Sequence, residues 1–440
     1  MTNKLASLYP EHIATLKQRF DRALTASGFD HLVIAAGSLR MIFLDDMPYP
    51  FKVNPHFKVW VPVLNNPECF LIYTAGKKPS LLYHQPVDFW HKSAGKPEGY
   101  WVEQFDITMM TSPDEAKKHL PADKAKTAFV GEWDEAYKTW GFQNPNPEAL
   151  INRLHFERSA KTEYEIECMR MANALGAKGH RAAEKAFRSG GSEFDIHLEY
   201  LRVTQHMEQE LPYNNIICLN EHASVLHYWI PERKNPSQRH SFLIDAGASV
   251  NGYASDITRT YSAKKDEFQS LIDALEEAQQ EICREVRIGL DYRELHLGTH
   301  RKVAKILAEF GFVKLGAEEI FDKGISSTFF PHGLGHFIGL QVHDVAGFMA
   351  DESGKTIEKP VGHGFLRLTR KVEEKQSFTI EPGIYFIEPL LATLKQGADS
   401  KHIDWKKVDE FRKFGGIRIE DDVIVREKGI DNLTRQAFAD

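Results

Sequence analysis

Residues 241–261 read SFLIDAGASVNGYASDITRTY, and this stretch decides how the C-terminal half of the chain folds. Two strand-like runs flank Asn251 and Gly252. Asn-Gly is the strongest short-range signal for a β-hairpin, because a type I′ turn needs positive φ at both central residues. The sequence therefore predicts two antiparallel strands joined by a two-residue turn.

The length of this turn fixes which residues face each other across the hairpin. Asp245 is expected opposite Thr258. Asp256 then lies diagonal to Asp245 on the same face, roughly 7–8 Å away. A bulge after Asp245 would alter this count. Without one, the two carboxylates can reach a common pair of metal ions about 3.5–4 Å apart.

Two further carboxylates occur in strand-like segments near the end of the chain. In residues 377–383 (SFTIEPG), Glu381 points away from the apolar residues just before a Pro-Gly break. In residues 415–425 (GGIRIEDDVIV), Arg418 and Glu420 alternate with isoleucines. Taken alone, each segment is typical of a half-buried strand with a solvated outer face.

Three histidines occur within residues 329–344 (FFPHGLGHFIGLQVHD). The glycines of this segment argue against a helix, since each costs about 1 kcal/mol relative to alanine. In an extended, bent strand His332 and His336 share a face. His343 falls on the other face and needs a kink or bulge to rejoin them.

The four carboxylates Asp245, Asp256, Glu381 and Glu420, together with His336, are candidate metal ligands. Four carboxylates facing one point would repel one another by several kcal/mol without a cation between them. Two divalent ions balance their charge, and a hydroxide held between the ions would be the one excess negative charge. This combination indicates a metal-assisted hydrolase.

The order of these motifs resembles that of the pita-bread metallopeptidases, which include prolidase, aminopeptidase P and methionine aminopeptidase. The shared motifs are Asp-Ala-Gly, Asp-Ile-Thr-Arg-Thr, His-Gly-Leu-Gly-His, Thr-Ile-Glu-Pro-Gly-Ile-Tyr and Gly-Ile-Arg-Ile-Glu-Asp. The chain is most similar to the bacterial Xaa-Pro dipeptidases also known as organophosphorus acid anhydrolases. Segments 43–51 and 86–91 extend this similarity to the N-terminal region.

The resemblance implies a fold class and a domain organisation. We expect an α+β protein with a small N-terminal α/β domain over residues 1–155 and a pita-bread catalytic domain over residues 156–440. The implied reaction is hydrolysis of Xaa-Pro dipeptides through a metal-bridging hydroxide. A side activity on organophosphorus triesters and fluoridates is also expected, because an activated water attacks phosphorus as well as carbon.

The resemblance also implies roles for individual residues. Asp245 would chelate one metal, Asp256 and Glu420 would bridge both, and His336 and Glu381 would complete the second. The implied catalytic residues are His227, His332, His343, Glu381 and Arg418. The implied substrate-binding residues are Asp46, Trp90, Tyr213, Leu226, Tyr292, Leu366, Arg367 and Arg370.

The metal and the substrate carboxylate can be considered from chemistry. A ligand set dominated by oxygen, with one imidazole and no thiolate, favours two Mn²⁺ ions per subunit, with Co²⁺ or Zn²⁺ as alternatives. A dipeptidase must bind the carboxylate of proline, and guanidinium groups do so bidentately. We expect Arg370 and Arg418 to serve here, with Arg367 as a third candidate.

Three other functions are compatible with the same scaffold. An aminopeptidase P-like enzyme, which removes an N-terminal residue before proline from longer peptides, is the main alternative. Methionine aminopeptidase is disfavoured because an N-terminal domain of about 150 residues precedes the metal domain. A non-catalytic relative that binds partners is disfavoured because all five ligands are present.

Composition limits the partners and the compartment. The net charge of −7 gives no electrostatic basis for binding nucleic acid or an anionic membrane. The four widely spaced cysteines indicate reduced thiols of a cytoplasmic protein. The N-terminus lacks the apolar run of a signal peptide, and no segment reaches transmembrane length. We expect small peptides as substrates and, from the resemblance, a homodimer.

Periodicity and capping signals predict further elements. A helix is expected over residues 10–28, and another from about 148. Thr162 and Glu165 form a capping-box pattern that begins a long helix to Arg188, and Ser192 caps a helix to about 208. Residues 141–147 contain two prolines and two asparagines and provide the best boundary signal. The strand candidates in this half are 31–36, 58–64, 69–75, 79–84 and 127–131.

Overall fold

A computed structural model describes residues 2–90, 92 and 94–439 of the chain. His91, which belongs to the second N-terminal motif, lies outside them. Helices and strands are mixed along the chain, as predicted for an α+β protein. The described residues form two compact units. One comprises Met1–Cys168, Asn251–Tyr253 and Asp351–Lys355, and the other comprises Met169–Val250, Ala254–Ala350 and Thr356–Asp440. The predicted boundary between residues 155 and 156 stays a prediction.

The elements are numbered in chain order. The helices are α1 (Thr2–Ser27), α2 (Pro55–Lys58), α3 (Glu135–Lys138), α4 (Glu148–Arg158), α5 (Glu163–Arg188), α6 (Glu193–Thr204), α7 (Glu267–Glu285), α8 (Tyr292–Glu309), α9 (Ala317–Asp322), α10 (Ser326–Phe329), α11 (Glu388–Gln396), α12 (Trp405–Phe411) and α13 (Leu433–Ala439). The strands are β1 (His31–Ala35), β2 (Phe70–Thr74), β3 (Ser80–His84), β4 (Asp106–Met110), β5 (Thr127–Val130), β6 (Asn144–Pro145), β7 (Ile216–Leu219), β8 (Ser241–Asp245), β9 (Ser249–Val250), β10 (Tyr253–Ala254), β11 (Thr258–Ser262), β12 (Ser377–Ile380), β13 (Gly383–Tyr385), β14 (Gly416–Arg418), β15 (Asp421–Arg426) and β16 (Gly429–Asn432).

The N-terminal unit is built on one sheet with strand order β4-β3-β2-β1-β5-β6. Strand β2 runs antiparallel to its neighbours β1 and β3. Strand β4 pairs in parallel with β3, β5 with β1 and β6 with β5. Val33, Phe70 and Phe129 lie in its core. Four of the predicted strands are present as β1, β2, β3 and β5, which confirms these assignments.

The prediction of a strand over residues 58–64 is wrong. Helix α2 ends there instead, and its start is fixed by Pro55 at the first helical position and by Asn54, whose side chain accepts from the His56 N–H at 2.9 Å. Val59 and Trp60 are buried beyond the helix. A short apolar run does not distinguish a strand from a buried turn.

The predicted capping signals are confirmed. The Thr162 N–H donates to Glu165 Oε2 at 2.8 Å and the Glu165 N–H donates to Thr162 Oγ1 at 3.3 Å, so α5 begins with a capping box. Ser192 caps α6 in the same way. Helix α6 ends at Thr204, earlier than predicted, because Gln205 adopts a left-handed conformation with φ of 55°.

The predicted hairpin is present. Asn251 and Gly252 have φ of 51° and 83°, as a type I′ turn requires. Strand β8 pairs with β11 so that Asp245 faces Thr258. Backbone hydrogen bonds from Ala246 to Ile257 and from Ser255 to Ala248 continue the same register towards the turn. The predicted register is therefore confirmed, without a bulge.

The histidine segment is not helical, as predicted, but it forms only one isolated β-bridge, between Phe337 and Phe378. It follows the edge of β12 closely. A Cβ atom at Gly335 would lie 2.1 Å from the carbonyl oxygen of Thr379. Glycine is therefore required for the backbone of this segment to reach β12.

Apolar and polar faces alternate along the strands that carry the candidate ligands. Phe378 and Ile417 lie in the large core that also contains residues of α7 and α8. Glu381 and Glu420 follow on the opposite parity, as predicted from the alternation. Glu381 directly follows β12 and Glu420 directly precedes β15, so both lie at the same end of this strand pair.

Two expectations from composition can be compared with the structure. Cys69, Cys168, Cys218 and Cys283 are all buried and form no disulfide, as predicted. Among the helices of the described residues, none combines the length and apolarity needed to cross a lipid bilayer.

Candidate metal centre

The hairpin brings Asp245 and Asp256 together at one tyrosine. The Tyr213 hydroxyl lies 2.8 Å from Asp245 Oδ1 and 2.6 Å from Asp256 Oδ1. Asp256 is also held from behind, because its backbone N–H donates to Asp422 Oδ2 at 2.9 Å. Both candidate ligands are buried. The two carboxylates therefore share a fixed, largely dry location.

Glu420 reaches the same place through a single β-bridge to Thr258. Its N–H donates to the Thr258 carbonyl oxygen at 3.0 Å, and the Thr258 hydroxyl donates to Glu420 Oε2 at 2.7 Å. Thr258 is also the residue opposite Asp245. One threonine thus aligns a candidate ligand of β8 with one from the segment between β14 and β15.

His336 and Glu381 are positioned by hydrogen bonds between the histidine segment and β12. His336 Nε2 lies 3.5 Å from Asp256 Oδ2 and 3.6 Å from Glu381 Oε1. Its Nδ1 lies 3.0 Å from the Phe337 carbonyl oxygen, which can only accept, so Nδ1 carries a proton. This second contact orients Nε2 towards the carboxylates, as is typical of metal-ligating histidines.

The electrostatics of these groups require a positive charge. Burial raises the pKa of Asp245, and it raises the pKa of Glu381 to about 7. The pKa of Glu420 also lies well above its usual value, because of burial and of the neighbouring carboxylates. Burial opposes the charged form of His336, yet Asp256 and Glu381 outweigh it and raise its pKa to about 9.

The residues present fit divalent cations. Ligand atoms of Asp256, His336 and Glu420 lie within 4.8 Å of one another. The donor set of four carboxylates and one imidazole suits oxygen-preferring divalent ions. Such ions would allow all four carboxylates to ionise together. The individual ligand roles stay predictions.

The three predicted catalytic histidines lie around this centre. His332 Nε2 is 2.9 Å from the Tyr385 hydroxyl, and its Nδ1 is 3.7 Å from Glu381 Oε2. The His343 ring centroid is 4.4 Å from that of His336, so the chain does bend back as predicted. Burial lowers the pKa of His332 to about 3, and the charge of Arg418 contributes. His332 is therefore neutral near pH 7.

His227 is exposed and stacks on Trp229, with ring centroids 5.5 Å apart. It is the smallest of the causes that lower the pKa of His332, after burial and Arg418, and that of His343, after burial, His336 and Arg367. It is thus electrostatically close to these two residues.

The three candidate arginines have different environments. Arg418 donates to Asp245 Oδ2 at 2.6 Å and to the Tyr385 hydroxyl at 2.9 Å, and it is buried. Arg370 is buried and its Nη2 lies 2.8 Å from Glu373 Oε2. Arg367 is exposed, and its charge contributes to the lowered pKa of His343 after burial and His336.

The remaining predicted substrate residues fall into two groups. Tyr292 is buried and its hydroxyl donates to the Thr379 carbonyl oxygen at 2.9 Å, Leu366 is buried, and Leu226 is half-buried. All three belong to the unit that contains the candidate ligands. Asp46 and Trp90 belong to the N-terminal unit, where both are exposed.

Several residues that organise the site were missed by sequence reasoning. Tyr385 contacts both Arg418 and His332, and Thr379 Oγ1 lies 3.3 Å from Glu381 Oε1. Tyr385 lies two residues after a Pro-Gly break, and Thr379 lies one strand period before Glu381. Their polarity on the ligand-bearing face was the available signal.

Glu193 is the most important residue missed. Its two carboxylate oxygens accept from the Leu219 N–H at 2.7 Å, His222 Nδ1 at 2.7 Å, the Tyr228 hydroxyl at 2.8 Å and the Glu232 N–H at 2.7 Å. Burial alone would raise the pKa of Glu193, but these hydrogen bonds lower it below its usual value. Glu193 thus holds the segment that carries Leu226 and His227.

Two family profiles match the chain. Residues 7–156 match the Xaa-Pro dipeptidase N-terminal domain, and residues 167–427 match metallopeptidase family M24. An Xaa-Pro dipeptidase of Pseudoalteromonas translucida (strain TAC 125) is 52% identical over 439 residues, and the alignment covers 100% of both chains. An Xaa-Pro dipeptidase of Stenotrophomonas maltophilia (strain K279a) is 49% identical over 434 residues, with 98% of each chain covered.

The solved structure of E. coli aminopeptidase P with the inhibitor Pro-Leu has a similar fold. Its TM-score is 0.72 at 22% sequence identity, with 96% of this chain and 95% of that chain covered. The fold and the convergent carboxylates define a metallopeptidase of the pita-bread type. The chain belongs to metallopeptidase family M24, in the group of the Xaa-Pro dipeptidases. The predicted family and fold class are confirmed, and membership implies a divalent metal cofactor.

The Glu193 contacts predict a specific dependence of stability on pH. Glu193→Gln should lower the free energy of unfolding by about 2 kcal/mol, because a buried, charge-assisted network is lost. The pKa of Glu193 is lowered, so its contribution is lost as pH falls through its folded pKa. The hydrogen bond to Glu193 outweighs burial and raises the pKa of His222. The contribution of His222 to stability is therefore lost as pH rises through the folded pKa of His222. Urea unfolding from pH 4 to pH 8 measures both.

A matched control is Glu199→Gln, which removes an i,i+3 pair with Arg202 on the outside of the same helix. This variant should be close to wild type at every pH. If the stability difference between wild type and Glu193→Gln were the same at all pH values, the role given to the charged pair would be wrong.

Proposed function

We propose that this protein is a dinuclear-metal dipeptidase that hydrolyses Xaa-Pro dipeptides. The observation that carries the proposal is that three buried carboxylates and the half-buried Glu381 lie around one oriented imidazole. The relatives named Xaa-Pro dipeptidase, which match over the whole chain, support the choice of substrate.

The contacts support the ligand assignment that the family resemblance implies. Asp245 would hold one ion, since one of its oxygens is already fixed by Arg418. Asp256 and Glu420 would bridge, and His336 with Glu381 would complete the second ion. When bound, such ions activate a water as nucleophile and stabilise negative charge on the scissile carbonyl oxygen.

The metal proposed is Mn²⁺, two ions per chain. Oxygen donors outnumber nitrogen donors among the five proposed ligands, and none of the five is a thiolate. This donor set favours Mn²⁺ over softer metal ions. Co²⁺ and Zn²⁺ are the alternatives, because affinity for divalent ions rises along this series.

The surrounding side chains would move protons and orient the substrate. A proline nitrogen is a tertiary amide nitrogen, so it must be protonated before it can leave. His332 and His343, both with lowered pKa values, are neutral imidazoles that can relay to this nitrogen the proton that the attacking water gives up. His227 completes this group of histidines. Tyr385 holds the His332 ring and the Arg418 guanidinium in fixed orientations.

Arg370 is our candidate for the proline carboxylate. Its guanidinium is buried, and its carbon lies 5.7 Å from the ring centroid of Phe337, next to the ligand His336. Its partner Glu373 is half exposed, so a substrate carboxylate could replace that contact. Arg367, exposed and electrostatically linked to His343, is the alternative.

An aminopeptidase P-like activity on longer peptides is the second candidate. The observation that favours it is the fold shared with E. coli aminopeptidase P. Hydrolysis of organophosphorus triesters and fluoridates is proposed as a side activity, because an activated water can attack tetrahedral phosphorus. Peptide length distinguishes the first two functions.

We also propose that the chain forms a homodimer and is cytoplasmic. Phe43, Leu44, Phe89 and Trp90 are 85%, 91%, 86% and 78% exposed, which is unusual for large apolar side chains. Such residues, together with Asp46, could cover the substrate opening of a second subunit. Light scattering should give a mass of two chains, and a stable, fully active monomer would contradict this. The reduced thiols suit a cytoplasmic location.

The first functional test concerns Glu420. In Glu420→Gln a proposed bridging carboxylate becomes a neutral amide, so at least one ion and most of the turnover of Leu-Pro should be lost. Wild type and variant are stripped with a chelator and reconstituted with Mn²⁺, Co²⁺ or Zn²⁺ in turn. Bound metal and kcat are then measured.

Glu427→Gln is the control, because Glu427 is exposed in the turn between β15 and β16 and is none of the proposed ligands. It should retain both ions and normal turnover. Retention of both ions with normal kcat in Glu420→Gln would contradict the ligand assignment. Full activity of the wild type with Zn²⁺ alone would contradict the choice of Mn²⁺.

The second functional test concerns substrate length and Arg370. Leu-Pro should be cleaved, whereas Leu-Pro-amide and Leu-Pro-Gly should be much poorer substrates. Arg370→Met should lower kcat/KM for Leu-Pro, because a charge-assisted hydrogen bond is lost. The corresponding loss of transition-state stabilisation is up to about 3 kcal/mol. The substitution should affect a neutral phosphotriester less.

Arg367→Met is the comparison variant. Equal losses for Leu-Pro and the phosphotriester in Arg370→Met would mean that Arg370 maintains the site rather than binding the carboxylate. A selective loss for Leu-Pro in Arg367→Met would transfer the role to Arg367. Good cleavage of Leu-Pro-Gly would favour the aminopeptidase P-like function.

A further inference from the structure

A second cluster of potential ligands lies outside the carboxylate centre. His296 and His300 are one turn apart on α8, and His363 comes from the loop that precedes Leu366. Their three ring centroids are 4.5 to 4.7 Å apart in pairs. Ligand nitrogens of all three lie within 4.8 Å of one another. His296 and His300 are each 1% exposed.

The hydrogen bonding of these histidines is incomplete. His296 Nε2 lies 2.9 Å from His363 Nδ1, and His300 Nδ1 lies 3.1 Å from Ser326 Oγ. The other nitrogens of the two buried rings, His296 Nδ1 and His300 Nε2, have no hydrogen-bond partner among the described residues. Buried polar atoms without partners are rare and need an explanation.

The rings keep their lone pairs at neutral pH. Burial and the neighbouring histidines lower the pKa of His296 to about 2 and that of His300 to about 3, and burial lowers the pKa of His363. Neutral imidazole is the form that binds metal ions.

A small cavity beside the rings has the size of an ion. The cavity has a volume of about 20 Å³ and is lined by the three histidines together with Phe330, His332 and Leu366. This volume holds roughly one water-sized species. No carboxylate lines the cavity within the described part of the chain, so the donors are imidazoles alone.

We propose that His296, His300 and His363 bind one transition-metal ion of the Zn²⁺ class, at a site distinct from the carboxylate centre. Imidazole donors favour Zn²⁺, Cu²⁺ or Ni²⁺ over Mn²⁺, so the two sites differ in selectivity. Ser326 orients His300 from outside the site, as expected for a ligating histidine. The Leu366 N–H donates to the His363 carbonyl oxygen at 3.2 Å, so the ion would fix the Leu366–Arg367 segment to α8.

The experiment compares bound metal in wild type, His363→Gln, His300→Gln and the control His119→Gln, which removes an exposed histidine of the N-terminal unit. Each full-length protein is stripped, equilibrated with excess Zn²⁺, dialysed and analysed by mass spectrometry for Zn²⁺ per chain. Wild type and His119→Gln should bind one ion more than either cluster variant. With Co²⁺, the same ion should contribute visible absorption typical of a four-coordinate, imidazole-rich site.

Two results would overturn the proposal. If wild type and His363→Gln bound equal amounts of Zn²⁺, the cluster would be a hydrogen-bonded group of histidines without a metal. If His363→Gln lost more than one ion, the site would not be independent of the carboxylate centre. His363 is half-buried on a loop, so this variant tests the site even if His300→Gln does not fold.

Discussion

Four carboxylates brought close together, three of them buried and Glu381 half-buried, set the constraint on which the catalytic unit depends. Each carboxylate costs free energy to bury, and each raises the cost for its neighbours. The structure meets this cost with oriented donors: Tyr213 between Asp245 and Asp256, Arg418 on Asp245, and Thr258 on Glu420. Divalent cations would supply the remaining charge.

The three consecutive acidic residues 420–422 have three different sets of partners. Glu420 faces the metal centre, while Asp421 lies 2.7 Å from both Arg259 and Arg435 in a buried ion network. Burial opposes the charge of Asp421, but the two arginines lower its pKa to about 2. Asp422 accepts from the Asp256 N–H and from Asn173. One strand thus joins the ligands to two supporting layers.

The local parts of this fold could be predicted from the sequence. The hairpin register, the alternation around Glu381 and Glu420, and the capping boxes depend on residues a few positions apart, and all agree with the structure. Residues 58–64 were misassigned because an apolar run of that length fits either a strand or a buried turn. The role of Glu193 could not be predicted, since its partners lie 26 to 39 residues away in sequence. The same is true of the histidine cluster, which joins α8 to a distant loop.

The compact units are interleaved along the chain, and this has a consequence for biosynthesis. The N-terminal unit includes Asn251–Tyr253 and Asp351–Lys355, so it is not complete until the ribosome has released the chain well beyond the first half. The proposed ligands extend from Asp245 to Glu420, so the candidate metal centre forms later still. A nascent chain therefore carries Asp245 and Asp256 without Glu381 and Glu420 until synthesis is nearly complete, and metal loading belongs to the finished polypeptide.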